Sequence, residues 1–254
     1  MNIDITGARI FWETPIKLPV LGRLCISETL VVSWLVMLII TGLCIFLTRD
    51  LKVENISKRQ ALAEMIVETA DNFVVGNMGE KFRYMIPFVS ALFATSLVSN
   101  LISLVGLRSP TADLSTEAAW AVVVFIMITG QKIKANGVGG YLKGFTTPIV
   151  IMTPFNILSE LATPISMACR HFGNILSGVV INALIYAALA VANRALFGLI
   201  PGAVGKFLGA VPFLDVGLPA ILSVYFDWFT GVMQAFIFCM LTVMYIANAA
   251  QPDE

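Results

Sequence analysis

Five long apolar segments limit what this chain can fold into. They lie near residues 29–47, 85–107, 116–130, 147–199 and 216–247. About 20 apolar residues in a helix cross the hydrocarbon core of a bilayer, and the third segment approaches that length only when it is extended to Ile133. We therefore predict an all-α integral membrane protein with about five membrane-crossing helices.

The composition supports this fold class. Of the 254 residues, 58% are hydrophobic and 13% are charged, whereas about a quarter of the residues in a soluble domain are charged. The formal net charge is zero, so no basic excess indicates nucleic acid as a partner. The surface of this protein is expected to face lipid.

A segment of different character separates the first two apolar segments. In residues 57–80, acidic residues recur at helical spacing opposite apolar ones; the acidic residues are Glu64, Glu68 and Asp71, and the apolar ones are Leu62, Met65, Ile66 and Phe73. This pattern predicts an amphipathic helix at the membrane surface. We divide the chain into an N-terminal extramembrane segment, residues 1–28, and a single helical membrane domain, residues 29–254.

The last two apolar segments are longer than a perpendicular crossing needs, so they must tilt, break or lie partly along the membrane plane. Pro148, Pro154 and Pro164 allow bends in the first of them, because each removes a backbone donor. A tilted helical hairpin over about residues 147–249 is the simplest arrangement.

Lysine and arginine in the short loops predict the orientation, because positive residues are retained on the cytoplasmic side. They are concentrated in residues 49–59 and 131–146. With these loops inside, five crossings place the N-terminus outside and the C-terminus in the cytoplasm. The N-terminal residues resemble neither a secretory signal nor a mitochondrial transit peptide, which favours a bacterial plasma membrane.

Several kinds of chemistry find no support in the sequence. The four cysteines, Cys25, Cys44, Cys169 and Cys239, are scattered without a CxxC pair, which fits neither a zinc site nor a disulfide framework. No phosphate-binding glycine loop, GxSxG elbow or HExxH pair is present. We expect a non-catalytic subunit that needs no cofactor or metal and does not itself bind ATP.

Ionisable residues inside apolar segments are the main functional candidates, because each costs about 3 kcal/mol on insertion scales. They are Glu160, Arg170, His171 and Asp227, and their polar companions are Asn156, Asn174, Asn182 and Gln234. On an ideal helix, Arg170, Asn174 and Ser177 share one face.

Asp227, Gly231 and Gln234 repeat this spacing on the last helix. Two such polar faces can line one aqueous pathway. Alternatively, Arg170 and Asp227 form a buried ion pair that holds the hairpin together. The additional amides exceed what one ion pair uses, which favours a hydrated path or relay.

Other polar residues have simpler interpretations. His171 points about 100° away from Arg170 on a helix, and a single histidine cannot build a metal site, so a packing role is favoured. Glu160 either lines a channel or reaches water at the interface. Either Ser115 or Asp113 is expected to cap the following helix, and Glu117 to complement its dipole.

Three stretches of the chain resemble subunit a of the F-type ATP synthases. Residues 164–178, PISMACRHFGNILSG, are similar to the segment around the family's essential arginine. Residues 234–246, QAFIFCMLTVMYI, are similar to its final helix. Asn100 and the PTADLS sequence at 110–115 are similar to the end of its third helix and the outer loop.

The resemblance implies a stator with two half-channels through which H⁺ or Na⁺ reaches and leaves the carboxylates of a ring of c subunits. It implies that Arg170 faces this ring, that Asn174 and Gln234 are its polar partners, and that Asp227 is the outer half-channel carboxylate. The peripheral-stalk subunit b, the c-ring and the lipid membrane are the implied partners.

Two positions depart from the family pattern. Val179 stands where many members have Glu or His, and His171 stands where leucine is usual. The outer half-channel must then rely on Asp227 and water. Two other classes remain alternatives: a self-contained secondary transporter, which predicts internal repeats that we do not find, and a structural membrane subunit whose polar residues pack helices.

Overall fold

The computed structural model describes residues 9–18, 22–147, 149–198 and 225–251. Within these ranges, five helical segments are long and apolar enough to cross a membrane: Glu28–Thr48, Glu80–Val105, Leu114–Gly144, Val150–Leu196 and Trp228–Ala249. They coincide with the five apolar segments of the sequence, so the predicted fold class is confirmed. The part of the last segment before residue 225 lies outside the described residues.

Residues 10–18 and 22–27, within the segment predicted to be extramembrane, form a β-hairpin that the sequence analysis did not predict. Strand β1, Ile10–Leu18, pairs antiparallel with β2, Gly22–Ser27, and two irregularities interrupt the register. The Glu28 amide donates to the Arg9 carbonyl at 2.8 Å. The hairpin therefore closes directly onto the start of the first helix.

The first two helices begin at serine caps. Helix α1, Glu28–Thr48, begins after Ser27, whose hydroxyl accepts from the Leu30 amide, and α2, Lys58–Met78, begins after Ser57 in the same way. Each cap satisfies a backbone donor that the first helical turn leaves free. Helix α2 ends at Gly79, where φ is 86°, a conformation that glycine adopts without strain.

The extent of α2 agrees with the helix predicted over residues 57–80, while its position at the membrane surface stays a prediction. Val74 and Met78 in its last turns pack in the core, whereas Leu62, Met65 and Ile66 in its first half are exposed. Asp71 accepts two hydrogen bonds of 2.9 Å from the Arg83 guanidinium. This pair connects α2 to the 3₁₀ turn Glu80–Met85 that leads into the next helix.

Helices α3, Ile86–Leu101, and α4, Leu114–Gly144, are joined by a short loop with two 3₁₀ turns. Of the two predicted cap residues, Ser115 and Asp113, it is Asp113 that caps α4, by accepting from the Ser115 amide at 3.1 Å. Residues 131–144, which the sequence analysis treated as a loop, continue the helix with one interruption at Gly137, where φ is 70°.

The last two helices are α5, Thr153–Gly198, and α6, Gly231–Ala249. Pro154 lies in the first turn of α5 and Pro164 lies inside it, while Pro148 is outside the described residues. A π-helical turn, Tyr225–Thr230, leads into α6. The connection of the predicted hairpin, residues 199–224, also lies outside the described residues.

Helix α6 lies at the centre of the packing. Nine of its residues are buried: Gly231, Gln234, Ala235, Phe238, Cys239, Thr242, Val243, Ile246 and Ala249. The main core combines Phe238, Val243 and Ile246 with apolar side chains from α2, α3, α4 and α5. A smaller cluster joins Val32 and Val36 of α1 to Ile102.

Two lysine side chains lie together at one end of the bundle. A cavity of about 260 Å³ is lined by Lys81 before α3, Lys134 in α4 and Ala250 after α6, among others. The beginning of the second crossing, the end of the third and the end of the fifth therefore lie at the same end.

Candidate functional site

Arg170 lies in the middle of α5, with its side chain exposed. Asn174 and Ser177 are also exposed, which agrees with the shared helical face expected from their spacing. Among the side chains that the structure describes, no carboxylate lies within salt-bridge distance of Arg170. The guanidinium is therefore presented on the outer surface of this chain.

Asn174 connects this face to α6. Its amide nitrogen donates to the Oε1 atom of Gln234 at 2.5 Å. Gln234 is 2% exposed, and its own amide nitrogen has no hydrogen-bond partner among the described residues. The structure thus brings together two of the predicted polar residues one helical turn from Arg170 and leaves a buried donor beside them.

Asp227 falls within the π-helical turn Tyr225–Thr230. The structure describes its backbone, but its side chain lies outside the described residues, as do the side chains of Val179 and Asn182. The spacing argument for Asp227, Gly231 and Gln234 assumed an ideal α-helix. A π-helix has more residues per turn, so the residues before Thr230 are rotated relative to that expectation.

Glu160 lies near the first third of α5 and pairs with Lys132 of α4. The Lys132 Nζ atom lies 2.5 Å from the Glu160 Oε2 atom, and the Oε1 atom is buried without a hydrogen-bond partner. Both side chains line a cavity of about 200 Å³, together with polar groups that include Asn136, Thr163 and Asn248. A polar cavity of this size can hold several water molecules.

Asn156 is not part of these polar faces. Its amide nitrogen donates to the backbone carbonyls of Phe145 at 2.9 Å and Thr147 at 3.1 Å. These bonds hold the turn between α4 and α5. The sequence analysis counted Asn156 as spare hydrogen-bonding capacity, and this assignment is wrong because the backbone of the turn uses its donors.

A buried polar cluster, which the sequence analysis did not predict, lies next to Arg170 on the side of α5 that faces the core. His171 and Glu117 are both 0% exposed, and the His171 Nδ1 atom lies 2.9 Å from the Glu117 Oε2 atom. The predicted packing role of His171 agrees with its contacts to Trp120 and Phe238. Glu117 does lie in the first turn of α4, but its carboxylate also has a specific partner.

Asn100, at the end of α3, completes this cluster. Its amide nitrogen lies 2.9 Å from the Gly231 carbonyl and 3.5 Å from the His171 Nε2 atom, and its oxygen accepts from Thr111 at 2.7 Å. The family resemblance drew attention to Asn100 and to the 110–115 loop. The signal for Glu117 was its position inside an apolar segment, where a carboxylate is costly.

The arrangement combines an exposed arginine, an amide pair in which Gln234 is buried and Asn174 is exposed, and a partly polar cavity beside the Glu160 carboxylate. Arginine stays protonated under all ordinary conditions, so it attracts an anion but does not pass a proton on. Carboxylates and water can pass protons or small cations. The described site therefore suits guidance of ions along a path rather than bond-breaking chemistry.

Comparison with known proteins identifies the family. The family model described as ATP synthase A chain matches residues 30–247, which is most of the chain. The chain belongs to the ATP synthase subunit a family. It is therefore an ion-channel stator subunit of an F-type ATP synthase and a multi-pass membrane protein, and it is not itself catalytic.

Individual members of the subunit a family match along nearly their whole length. The chain is 34% identical to ATP synthase subunit a 1 of Hahella chejuensis over 240 residues, 94% of this chain and 90% of that protein. It is 34% identical to ATP synthase subunit a 1 of Prosthecochloris aestuarii over 237 residues, covering 92% and 94%. It is 32% identical to ATP synthase subunit a 2 of Acaryochloris marina, covering 96% and 92%.

Proposed function

We propose that Arg170 faces a ring of c subunits and attracts the ionised carboxylate that each ring subunit carries. The observation that carries this proposal is an exposed guanidinium in the middle of a membrane-crossing helix, without a described anionic partner in its own chain. An unpaired charge at that depth is costly, so a partner of opposite charge from another subunit would offset the cost.

The proposed mechanism uses two access paths that do not meet. On the outer side, Asp227, Asn174 and Gln234 lead ions to the ring. On the inner side, Glu160 and its cavity connect the ring with the cytoplasm. A carrier carboxylate loads from one path, travels through lipid in its neutral form and unloads into the other.

Arg170 separates the two paths in this mechanism. Because its guanidinium stays charged, it repels a free cation and cannot relay a proton. Ion flow is then possible only through rotation of the ring. The Asn174 to Gln234 hydrogen bond supports this role, because it anchors the arginine-bearing face to the packed helix α6.

Lys132 also takes part in the proposed inner path, through its pair with Glu160. Its ammonium group neutralises Glu160 when the cavity is empty of ions. A proton or sodium ion entering the cavity competes with Lys132 for the same carboxylate. The translocated ion is H⁺ or Na⁺, and the ring subunit's carrier site would decide between them.

We further propose that the end carrying Lys81 and Lys134 faces the cytoplasm of a bacterium, with the N-terminal hairpin on the outer side. The positive-inside rule supports this orientation, and the cavity lined by both lysines groups them at one end with the end of α6. The peripheral-stalk subunit b is the second proposed protein partner. Residues 1–28 are proposed to lie outside the membrane, and residues 29–254 to form the membrane domain.

The test is ATP-driven ion uptake into inverted membrane vesicles that contain the assembled complex. Arg170→Ala is expected to abolish uptake at unchanged subunit content, because the barrier and the anion guide are lost together. Arg194→Ala is the matched control, since Arg194 is an exposed arginine further along the same helix, and it should retain uptake.

Normal uptake by assembled Arg170→Ala complexes would contradict the proposal and favour the structural-subunit alternative. Loss of uptake in both arginine variants would show that α5 needs positive charge in general rather than at position 170. Immunoblots of subunit a and of ring subunits in the same vesicles supply the assembly control.

A further inference from the structure

Helix α5 has little apolar contact to fix its rotation. It contains 46 residues, yet the described side chains that are buried in it are Met167, Ala168, His171 and Asn193. Three of these four lie within a single stretch of five residues next to Arg170. The direction in which the arginine points is therefore set largely by what His171 and its neighbours contact.

His171 makes specific polar contacts with two other helices. Its Nδ1 atom lies 2.9 Å from Glu117 of α4, and its Nε2 atom lies 3.5 Å from the amide nitrogen of Asn100 in α3. The rings of Trp120 and Phe238 lie 6.3 and 5.3 Å from the imidazole, centre to centre. The ring is thus held at both nitrogen atoms and packed by two aromatic side chains.

The surrounding hydrogen bonds determine which nitrogen of His171 donates. Thr111 donates to the Asn100 oxygen, and the Asn100 amide nitrogen donates to the Gly231 carbonyl, which fixes the amide orientation. The remaining amide hydrogen of Asn100 points to Nε2, so Nε2 is the acceptor. Nδ1 then carries the hydrogen and faces the Glu117 carboxylate at 2.9 Å, a close polar contact that does not have hydrogen-bond geometry.

Asn100 also joins this contact to the centre of the bundle. Gly231 allows α3 and α6 to approach closely, since a Cβ atom there would lie 3.0 Å from the Asn100 Cβ atom. His171 of α5 is thus connected to α4 through Glu117 and, through Asn100 of α3, to α6 and the loop at Thr111. All these groups are buried, and a buried polar group that loses its partner destabilises the arrangement that leaves it unpaired.

We propose that Glu117, His171 and Asn100 form a buried polar lock that sets the rotation of α5 and thereby holds Arg170 and Asn174 toward the partner ring. His171 is a positioning residue in this inference, which rests on the proposed role of Arg170. Consecutive helical residues point about 100° apart, so fixing His171 against α4 directs Arg170 outward.

The first experiment measures rotation without measuring transport. In the assembled complex, with the four native cysteines replaced, Asn174→Cys and Gln234→Cys are combined and treated with a short bifunctional thiol reagent. Cross-linking is expected, because these side chains are hydrogen-bonded. Leu176→Cys with Gln234→Cys is the negative pair, since Leu176 is exposed on a different face of α5.

His171→Leu is then added to each pair. The lock predicts that cross-linking at position 174 falls toward the level of the negative pair. His171→Asn retains an amide donor near the position of Nδ1 and is expected to preserve cross-linking. Thr242→Val is the control, because Thr242 is buried but bonds to the Phe238 carbonyl of its own helix. Unchanged cross-linking in His171→Leu would overturn the inference.

The second experiment measures ion uptake per assembled complex in the native background. His171→Leu should reduce uptake by about tenfold. The buried Glu117 carboxylate would lose its partner, which favours rotations of α5 in which Arg170 no longer faces the ring. His171→Asn and Glu117→Gln should retain most of it, since both keep a hydrogen-bonding partner and neither can exchange a proton. If these two variants lose uptake while cross-linking persists, His171 and Glu117 carry protons and the lock is wrong.

The two measurements also separate this inference from the proposed function. If His171→Leu loses cross-linking while Arg170→Ala retains uptake, the lock stands and the role of Arg170 fails. If His171→Leu does not assemble, Glu117→Gln and His171→Asn decide the question, because lost cross-linking in both would contradict a lock made by hydrogen bonds.

Discussion

Helices α5 and α6 carry adjoining halves of the proposed site, but they are held in the molecule differently. Nine residues of α6 are buried, from Gly231 to Ala249, whereas α5 is more than twice as long and has four buried side chains among those described. Helix α6 is a core element that packing fixes on several sides. Helix α5 leaves most of its described surface open and is held by a short buried stretch, in which Met167 and Ala168 join the main core and His171 makes polar contacts.

This difference suits a stator that works against a moving partner. A surface that must let another subunit pass cannot also be covered by its own chain. In lipid, apolar surface alone gives little force between helices, so packing and specific hydrogen bonds carry more of the orientation. The exposed face that carries Arg170 and the buried surface that anchors the bundle therefore belong to separate helices, α5 and α6.

The largest expected effect is on the packed helix. Phe238 is 1% exposed, and Phe238→Ala should destabilise the subunit by about 3 kcal/mol or more, because it leaves a cavity in the main core. The measurement is the amount of folded subunit that remains after stepwise heating of the detergent-solubilised complex.

Leu184→Ala is the corresponding change on α5, where the side chain is 65% exposed. It should shift the heating curve little, since no cavity forms within the chain. If the two variants lose stability equally, the proposed contrast between a packed and an open helix is wrong.

A second pair compares glycines on the two helices. Gly231→Ala brings a methyl group to 3.0 Å from the Asn100 Cβ atom, and the strain should cost about 1–3 kcal/mol. At Gly173 of α5, an added Cβ meets nothing within 4 Å in this chain. Gly173→Ala should therefore leave the stability of the subunit unchanged or slightly higher.

A measurement of ion uptake tests whether Gly173 also lies against the partner ring. If the ring approaches closely at the Arg170 face, Gly173→Ala should reduce uptake without lowering subunit stability. Gly130→Ala is a suitable control, because Gly130 lies in α4 and also has open space around it. Uptake that falls equally in both variants would contradict a contact specific to α5.

The smallest effect concerns the surface pair of α2. The hydrogen bonds from Arg83 lower the pKa of the Asp71 carboxyl from its ordinary value of 3.8. A lowered folded-state pKa contributes stability above pH 3.8, and this contribution is lost as the pH falls below that value through the folded-state pKa. Arg83→Gln should flatten this part of the stability profile and change little at pH 7, because the pair is exposed.

The profile is measured by heating the solubilised complex between pH 3 and pH 6, with Asp71→Asn as the partner variant. The double variant should behave like either single variant. A large loss of stability at pH 7 would show that this surface contact is as important as the core contacts of α6.

The membrane helices could be predicted because apolar length is a local property of the sequence. The cap at Asp113, one of two candidates, and the helical pattern of α2 are local in the same sense, whereas the caps at Ser27 and Ser57 were not predicted. The pairing of His171 with Glu117 was not predicted, since 54 positions separate them in the sequence and no periodicity connects residues on different helices. Asn156 was assigned wrongly because its partners are backbone carbonyls, which every residue offers.

The candidate site was predicted in part. The spacing of Arg170 and Asn174 placed them on one face, and the structure connects that face to Gln234. The same argument assumed an ideal α-helix at Asp227, where the backbone forms a π-helical turn with a different rotation per residue, so its place on the polar face stays a prediction. Glu160 was identified as a polar group in an apolar segment, but Lys132 as its partner required the packing of α4 against α5.

The sequence by itself determined that the chain crosses a membrane about five times and that it carries costly polar groups in its last two helices. These properties follow from residue type and local spacing. The tertiary structure decided which polar groups are neighbours, since burial places Glu117, His171 and Asn100 in one cluster and leaves Arg170 on the surface. A helix can rotate about its axis without changing its sequence, and contacts from other helices select one rotation.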